Sequence, residues 1–435
     1  MTQDEALDLL KLGQNVYLTG PAGSGKTYLL NKYIDYLKKN KIEVGITAST
    51  GIAATHINGM TIHSWCGIGI KNSLNEHDIE ELKKKLYLRT RIKSARVLII
   101  DEISMLHGFR LDMVDIVCRA LKDIDYPFGG LQIVMCGDFF QLPPVTRGPE
   151  EDGSFATSSQ IWQQMDLKVC YLEEQYRQSD SGFLKVLNEI RGNKVTGDAV
   201  DLLMERYNAQ IQGLENPTKL YTHNIDVDAI NTLELAKIKA DPEMFDMSSS
   251  GKKELVDLLT KSCLAPARLV LKIGAIVMFV KNNYDKGYVN GTLGEVIGFD
   301  ESQYPIVKTV GGKKIIADPV NWAIEDEGTV KAQITQVPLR LAWAITVHKS
   351  QGMSLDAALI DLSKSFVEGM GYVALSRVRD LSGLKLVGIN QMALKVNQEV
   401  LELDKILKAK SEKDTDELNN LSKDQKEKLQ KEFVK

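Results

Sequence analysis

Residues Gly20-Pro21-Ala22-Gly23-Ser24-Gly25-Lys26-Thr27 form a complete G-x-x-x-x-G-K-T motif. The apolar run 15–19 precedes the motif and an amphipathic stretch, 26–39, follows it, so the sequence predicts a strand, a phosphate-binding loop and a helix in that order. In such a loop the glycines let backbone N–H groups surround phosphates, and the helix N-terminus favours negative charge. We expect Lys26 to reach the terminal phosphates of ATP and Thr27 to bind Mg²⁺. The motif therefore indicates an α/β fold of the P-loop NTPase class.

A pair of carboxylates, Asp101 and Glu102, follows the apolar run Val97-Leu98-Ile99-Ile100. An acidic pair after a strand can also cap the next helix. The phosphate loop upstream favours a catalytic interpretation instead. We expect Asp101 to hold Mg²⁺, directly or through water, and Glu102 to orient and deprotonate the attacking water.

Apolar runs alternate with amphipathic stretches along the first part of the chain, which is typical of a parallel sheet covered by helices. A second α/β pattern begins near residue 167, and a stretch rich in Val, Ile and turn residues interrupts it. The pattern predicts a first α/β domain over 1–166 with a charged excursion at about 65–93, a second α/β domain over 167–243 and 337–400, a β-rich insertion over 244–336, and a charged, solvated helical tail over 401–435.

The composition is ordinary for a soluble globular protein, with 43% hydrophobic and 26% charged residues. The chain has no long uncharged apolar stretch and no basic, apolar leader at its start, so we expect neither membrane insertion nor secretion. Its five scattered cysteines fit a reducing cytoplasm and argue against structural zinc. The net charge of -4 does not indicate nucleic-acid binding, although a protein that grips one strand in a narrow channel needs only local positive charge.

Polar residues further along the chain extend the candidate nucleotide site. Gln141 lies in the loop 137–144 after a buried apolar run, where a glutamine can sense the γ-phosphate, although an ordinary Pro-rich connector is the alternative. Arg177 and Arg377 are candidates for an arginine supplied across a cleft, which stabilises the charge that develops on the γ-phosphate. A single Arg is more often a surface charge, so both assignments depend on the neighbouring motif residues.

Taken in order, these motifs resemble those of superfamily-one helicases, and the segment Pro127-Phe128-Gly129-Gly130-Leu131-Gln132 resembles the signature of the petite-integration-frequency (PIF) family. The resemblance covers residues 3 to 390. It implies two RecA-like parallel-sheet P-loop NTPase domains, a small inserted SH3-like β subdomain, and a wedge element in the excursion after residue 65. The remaining matching segments are 47–54, 61–64, 100–105, 137–144, 338–352 and 372–377.

The resemblance also implies roles for individual residues. Gln3 would read adenine, and the alternative is an exposed glutamine without a role. Hydroxyl, imidazole and ammonium groups suit phosphate oxygens, which position a strand without reading its sequence; His63 and His348 could instead be structural. The catalytic candidates are Lys26, Glu102, Gln141, Arg177 and Arg377; the nucleotide-binding candidates are Gln3, Gly20, Pro21, Ala22, Gly23, Ser24, Gly25, Lys26, Thr27 and Gly352; the Mg²⁺ ligands are Thr27 and Asp101; and the DNA contacts are Ser49, Thr50, His63, Phe140, Thr346, His348 and Lys349.

The function implied is that of an ATP- and Mg²⁺-dependent DNA helicase moving 5′-to-3′ on single-stranded DNA and unwinding tailed or forked duplex DNA. Replication, repair, recombination and telomere maintenance are the family's processes, and G-quadruplexes and RNA–DNA hybrids are family habits that these residues do not show. We expect a minimal bacterial-type form, cytoplasmic and nucleoid-associated, without membrane contact and monomeric in the absence of DNA. Three alternatives stay open: a translocase or protein-remodelling ATPase that does not separate strands, a non-catalytic nucleotide-gated DNA-binding module, and a member of the RecD-like branch.

Overall fold

The structure is a computed structural model of the chain. It describes residues 1–69, 71–144, 154–178, 180–211, 217–221, 227–283, 285–326, 329–347 and 350–435. The chain divides into two compact units. The first unit comprises Met1–Tyr176, Ile324–Val330 and Glu399–Lys435, and the second comprises Arg177–Ala323 and Lys331–Gln398.

Strands and helices alternate along the first 176 residues, as the sequence predicts. Short 3₁₀ helices at Ile103–Met105, Pro127–Gly130 and Ala156–Ser158 complete this part. The strands are β1 (Val16–Thr19), β2 (Val44–Ala48), β3 (Met60–Thr61), β4 (Val97–Asp101), β5 (Gln132–Cys136) and β6 (Lys168–Tyr171), and the helices are α1 (Gln3–Lys11), α2 (Lys26–Lys39), α3 (Gly51–His56), α4 (Ile62–Trp65), α5 (Glu76–Lys84), α6 (Leu86–Ser94), α7 (Gly108–Lys122) and α8 (Gln160–Gln164).

The six strands form one sheet in the order β3-β2-β4-β5-β1-β6. Every adjacent pair in this sheet is parallel. Strands β1, β4 and β5 are buried along their whole length, which explains their continuous apolar runs. Because the strands are parallel, the loops that follow β1, β2, β4 and β5 all leave the same edge of the sheet. The phosphate loop and the acidic pair therefore share one edge.

Strand β6 belongs to this first sheet, so the predicted domain boundary at residue 166 was wrong. It pairs with β1 in a register that joins Val16 to Lys168 and Thr19 to Tyr171. The first unit continues to Tyr176. An apolar run reveals a buried strand but not the sheet that the strand joins, and this run stands directly before the second α/β pattern.

Residues 177–398 contain a second α/β arrangement with a β-rich insertion. Two 3₁₀ helices, Leu381–Gly383 and Gln391–Leu394, lie near the end of this part. The helices are α9 (Ser181–Arg191), α10 (Gly197–Met204), α11 (Val227–Lys237), α12 (Lys253–Ser262) and α13 (Met370–Leu375), and the strands are β7 (Thr218–Tyr221), β8 (Glu243–Asp246), β9 (Ser248–Gly251), β10 (Arg268–Leu271), β11 (Ile276–Phe279), β12 (Leu293–Phe299), β13 (Pro305–Thr309), β14 (Lys314–Ile316), β15 (Val320–Asp326), β16 (Thr329–Gln336), β17 (Leu339–Leu341), β18 (Ala344–Thr346), β19 (Ala358–Leu362) and β20 (Leu384–Ile389).

The second unit contains one parallel sheet and one larger antiparallel sheet. A parallel sheet has the order β18-β7-β19-β20, and an antiparallel sheet has the order β14-β13-β12-β11-β17. The antiparallel sheet confirms a β-rich insertion, although β17 extends it beyond the predicted end at residue 336. Two smaller sheets have the orders β10-β8 and β15-β16-β9, and residues 324–330 of β15 and β16 belong to the first unit. The SH3-like character of the insertion stays a prediction.

The charged C-terminal segment forms two helices, α14 (Gln398–Asn419) and α15 (Lys423–Val434). The prediction of a solvated tail was wrong for α14, because this helix covers the free edge of β6. The amide of Val169 donates to Asp414 Oδ2 over 2.7 Å, and the amide of Tyr171 donates to Ser411 Oγ over 3.0 Å. Edge strands expose such amides, and here helix side chains accept from both. Helix α15 has no fully buried residue, but Phe433 and Val434 pack partly buried against the core of the first unit. Within the ranges that the structure describes, no helix is long and apolar enough to span a bilayer.

Candidate nucleotide and nucleic-acid site

The phosphate loop runs from the end of β1 to the start of α2 and relies on left-handed glycines. Gly25 caps α2 with φ of 83°, and Gly20 has φ of 144°. A Cβ atom on Gly20 would stand 2.3 Å from the carbonyl oxygen of Leu172, so a larger residue does not fit there. Lys26 folds across the loop and donates from Nζ to the carbonyl oxygens of Gly20 and Pro21 over 2.8 and 2.9 Å.

Ser24 supplies an unused polar atom inside the loop. Its side chain is fully buried, and Oγ has no hydrogen-bond partner in the part of the chain that the structure describes. A buried hydroxyl without a partner is costly, and a ligand oxygen would offset that cost. This hydroxyl, the Lys26 ammonium and the N-terminus of α2 together fit a triphosphate.

Gln3 lies beside the phosphate loop, as the resemblance implies. Its Nε2 donates to the carbonyl oxygen of Ser24 over 3.3 Å, and helix α1 begins at this residue behind a capping box of Thr2 and Glu5. The structure also brings Tyr176 here, because its amide donates to the Gly23 carbonyl oxygen over 2.9 Å. The Tyr176 side chain is 61% exposed next to the loop. No sequence motif assigned Tyr176 a role, although it stands directly before Arg177.

Asp101 ends β4 as a buried carboxylate, and burial raises the pKa of this carboxyl above its ordinary value. Its Oδ1 accepts from the amide of Glu102 over 2.9 Å. Glu102 itself is in the left-handed region, with φ of 52° and ψ of 46°, and its side chain is half-buried. Oxygen donors of this kind suit Mg²⁺, whose charge would favour the ionised form of Asp101. Thr27, the other predicted ligand, is exposed in the first turn of α2.

The end of β2 lies against the acidic pair. Ser49 donates from Oγ to the carbonyl oxygen of Glu102 over 2.7 Å and from its amide to the carbonyl oxygen of Asp101 over 3.0 Å. Thr50 caps α3 by accepting from the amide of Ala53 over 3.2 Å. Both predicted DNA contacts therefore also have a structural role.

The loop after β5 is built on Asp138, which is fully buried. Gln141 is buried; its amide donates to the Asp138 carbonyl oxygen over 2.9 Å and its Nε2 to Asp138 Oδ2 over 3.4 Å. The Phe140 side chain is only 3% exposed, and its contact with DNA stays a prediction. Neighbouring Phe139 is buried against Tyr17. Hydrophobic burial of both rings stiffens the loop.

In the second unit, the segments of Arg177 and Arg377 meet at one backbone carbonyl. Arg177 donates to the carbonyl oxygen of Ser376 over 3.1 Å, and Gln178 donates from its side-chain Nε2 to the same oxygen over 3.2 Å. Arg377 is 1% exposed and donates through Nε to the Val373 carbonyl oxygen over 3.0 Å. Gly352 is exposed in the left-handed region, and Thr346 is half-buried at the end of β18. His348 and Lys349 lie outside the described residues.

Two family models match the chain. The PIF1-like helicase model matches residues 3–194, and the model of the DNA helicase Pif1 2B domain matches residues 254–299. The ATP-dependent DNA helicase Pif1 of Psychrobacter is 46% identical over 91% of this chain and 69% of its own length. The ATP-dependent DNA helicase PIF1 of Xenopus laevis is 38% identical over 92% of this chain, which spans 63% of that relative.

Solved structures lead to the same family. Pif1 of Bacteroides in complex with ADP-AlF4 is 33% identical, with a TM-score of 0.81 over 94% of this chain and 96% of that one. Bacteroides Pif1 bound to single-stranded DNA is 32% identical with a TM-score of 0.61, over the same shares of the two chains. The likeness confirms that the two parallel sheets form RecA-like domains. The identity to these relatives along nearly the whole chain establishes that it belongs to the PIF1-like helicase family.

Proposed function

We propose that this chain is an ATP-dependent DNA helicase that moves 5′-to-3′ along single-stranded DNA and separates duplex DNA. The observation that carries the proposal is the shared sheet edge, where the phosphate loop, Asp101 and Glu102 lie in a chain whose relatives are named ATP-dependent DNA helicases. The 5′-to-3′ direction rests on the family resemblance alone.

The residues of the first unit divide the work of hydrolysis. The loop amides and Lys26 bind the phosphates, and the N-terminus of α2 adds a favourable dipole. Glu102 orients the attacking water and accepts its proton, a role that its position directly after Asp101 supports. Thr27 and Asp101 would hold Mg²⁺, which neutralises charge on the phosphate oxygens when bound. Gln141 of the first unit, and Arg177 and Arg377 of the second, stay candidates for contacting the γ-phosphate.

Grip on the strand is proposed for Ser49, Thr50 and His63 in the first unit and for Thr346, His348 and Lys349 in the second. Contacts to phosphate oxygens hold a strand irrespective of sequence and weaken as salt rises. The protein moves along the strand if its affinity for the strand differs between nucleotide states, because only differential binding shifts a conformational equilibrium. Solved Pif1 relatives bound to single-stranded DNA and at forked duplex DNA support these two partners.

The test is ATP-dependent unwinding of a fluorescent duplex that carries either a 5′ or a 3′ single-stranded tail. We expect unwinding from the 5′ tail only. Lys26→Ala should abolish it, because the phosphates lose their ammonium partner. Lys39→Ala, an exposed position on the same helix, is the matched control and should leave the rate unchanged.

Each other outcome identifies an alternative. Unwinding from the 3′ tail only would overturn the proposed 5′-to-3′ direction but leave the proposed helicase activity standing. DNA-stimulated hydrolysis without unwinding from either tail would indicate a translocase or remodelling ATPase. DNA binding that depends on nucleotide but proceeds without turnover would indicate a non-catalytic module.

A further inference from the structure

A buried amide, that of Gln132, lies at the opposite end of the first sheet from the phosphate loop. Gln132 begins β5 and is 6% exposed. Because β5 and β1 are parallel and Val134 pairs with Val16, Gln132 lies at the amino edge of the sheet. The proposed chemistry takes place at the carboxyl edge. This residue also ends the segment that resembles the family signature, and the catalytic assignments above leave it without a role.

The Gln132 amide makes three hydrogen bonds to two different helical segments. Its Nε2 donates to the carbonyl oxygen of Leu10, in the last turn of α1, over 3.0 Å, and to that of Gln14, just after α1, over 2.7 Å. Its Oε1 accepts from the hydroxyl of Tyr33, on α2, over 2.7 Å. Burial raises the pKa of the Tyr33 hydroxyl, which therefore remains a donor. One side chain thus connects α1, α2 and β5.

Both helices joined in this way lead to the nucleotide site. Helix α2 begins at Lys26, and α1 begins at Gln3, whose Nε2 bonds to the Ser24 carbonyl oxygen. Helix α1 has nine residues and is therefore about 13 Å long. Such a short helix moves as one piece, so a shift at its last turn carries over to Gln3.

The hydrogen bond between Gln3 and the Ser24 carbonyl oxygen, at the other end of α1, is too weak to position Gln3 by itself. Its hydrogen bond of 3.3 Å is long, and the Gln3 side chain is only half-buried. Apolar packing of Leu7 and Leu10 against α2 holds the two helices together but is not directional. Hydrogen bonds fix position along the helix axis because they require a set donor-to-acceptor distance.

We propose that Gln132 is a positioning residue, which joins α1 to α2 and thereby sets Gln3 against the base of a nucleotide bound in the phosphate loop. The inference rests on the proposed ATP-binding function. The Gln132 amide then affects the preference for the nucleotide base, although Gln132 lies at the opposite edge of the sheet from the phosphate loop. A residue that only stabilised the fold would leave that preference unchanged.

The experiment measures the affinity of the full chain for fluorescent ATP and GTP analogues, with Mg²⁺, for the unmodified protein, Gln132→Met, Tyr33→Phe and Gln3→Ala. Gln132→Met keeps the length of the side chain but removes all three hydrogen bonds. We expect it to reduce the preference for ATP over GTP about three- to tenfold, the effect of losing roughly one hydrogen bond's worth of positioning. Gln3→Ala should reduce the preference similarly, and the double variant should lose no more than either single variant.

Tyr33→Phe removes the hydrogen bond between Gln132 and α2 but leaves both bonds to the α1 side. It should lower the ATP preference in the same direction as Gln132→Met, because the join between α1 and α2 is then broken. If Gln132→Met does not fold, Gln132→Asn, whose shorter side chain weakens the same contacts, should show the same direction of change.

Two results would overturn the inference: an unchanged ATP preference in a folded Gln132→Met or Gln132→Asn variant, or a Gln132→Met loss that adds fully to that of Gln3→Ala. Because binding is measured directly, these results stand whether or not the protein unwinds DNA. Failure of the proposed function itself would appear separately, as absence of ATP binding to the unmodified chain.

Discussion

The nucleotide site, formed by the phosphate loop and the end of β4, and the contact between α14 and β6 each bury a serine and an aspartate in the first unit, with opposite results. Ser411 and Asp414 accept from the amides of Tyr171 and Val169, and Asp414 also pairs with Lys168 over 3.3 Å. Ser24 keeps an unused hydroxyl, and Asp101 carries a pKa raised by burial. Buried polar groups with protein partners hold the fold, whereas those with spare capacity mark the place for a ligand.

The largest expected effect concerns ATP hydrolysis at the nucleotide site. Glu102→Gln removes the proton acceptor but keeps the shape of the side chain. Hydrolysis stimulated by single-stranded DNA should fall by roughly 10²- to 10⁴-fold, the usual contribution of a general base. Affinity for an ATP analogue should be retained, because the loop and Lys26 bind the phosphates. Steady-state hydrolysis and analogue binding check this, with Glu412→Gln, an exposed residue of α14, as the control.

A variant of Glu102 that hydrolysed ATP at the normal rate would remove this residue from the catalytic role. The buried polar groups at the nucleotide site would then differ from those at the α14–β6 contact without a catalytic reason.

The next effect concerns stability at the α14–β6 contact. Asp414→Ala leaves the Val169 amide buried without its acceptor, and we expect the free energy of unfolding to fall by about 1–3 kcal/mol. Glu417 pairs with the same Lys168 but is 48% exposed, so Glu417→Gln should cost less than about 1 kcal/mol. Denaturant unfolding followed by tryptophan fluorescence measures both. Equal losses for the two variants would mean that the ion pair, and not the buried amide, matters.

The smallest effects compare the two buried serines directly. Ser411→Ala should lower the free energy of unfolding by about 1 kcal/mol and leave ATP affinity unchanged. Ser24→Ala removes a hydroxyl that bonds to no described protein group, so stability should change by less than about 0.5 kcal/mol while ATP affinity falls. Parallel unfolding and ATP-analogue titrations distinguish the two. A reversed pattern would contradict the comparison.

Local sequence signals predicted the elements around the phosphate loop and the acidic pair, because consecutive residues build them. The phosphate loop is a single turn of chain, and Asp101 and Glu102 follow the strand that positions them. Parallel pairing then brings these segments to one edge without further information. The burial of Phe140 could not be predicted, because the sequence does not show whether an aromatic ring beside prolines faces solvent or the core.

The α14–β6 contact could not be predicted in the same way. Its partners stand 245 and 240 residues apart in the chain. The buried face of α14 repeats at helical spacing, but half of it is polar, so the stripe resembles a solvated surface: Val400, Asp404, Leu407, Ser411, Asp414 and Leu418. The contacts of Gln132 could not be predicted for the same reason, because its partners lie far away in the sequence, in or beside α1 and α2.

The contact between α14 and β6 also has a consequence for the order of events on the ribosome. Strand β6 is synthesised early, but the side chains that accept from its outward amides emerge only after the whole second unit has been made. Until then the nascent chain displays an open strand edge, which is a template for pairing with other chains. Translation that stalls between residues 177 and 398 therefore leaves a product prone to aggregate, and chaperone binding to the ribosome-bound chain should end once α14 has emerged.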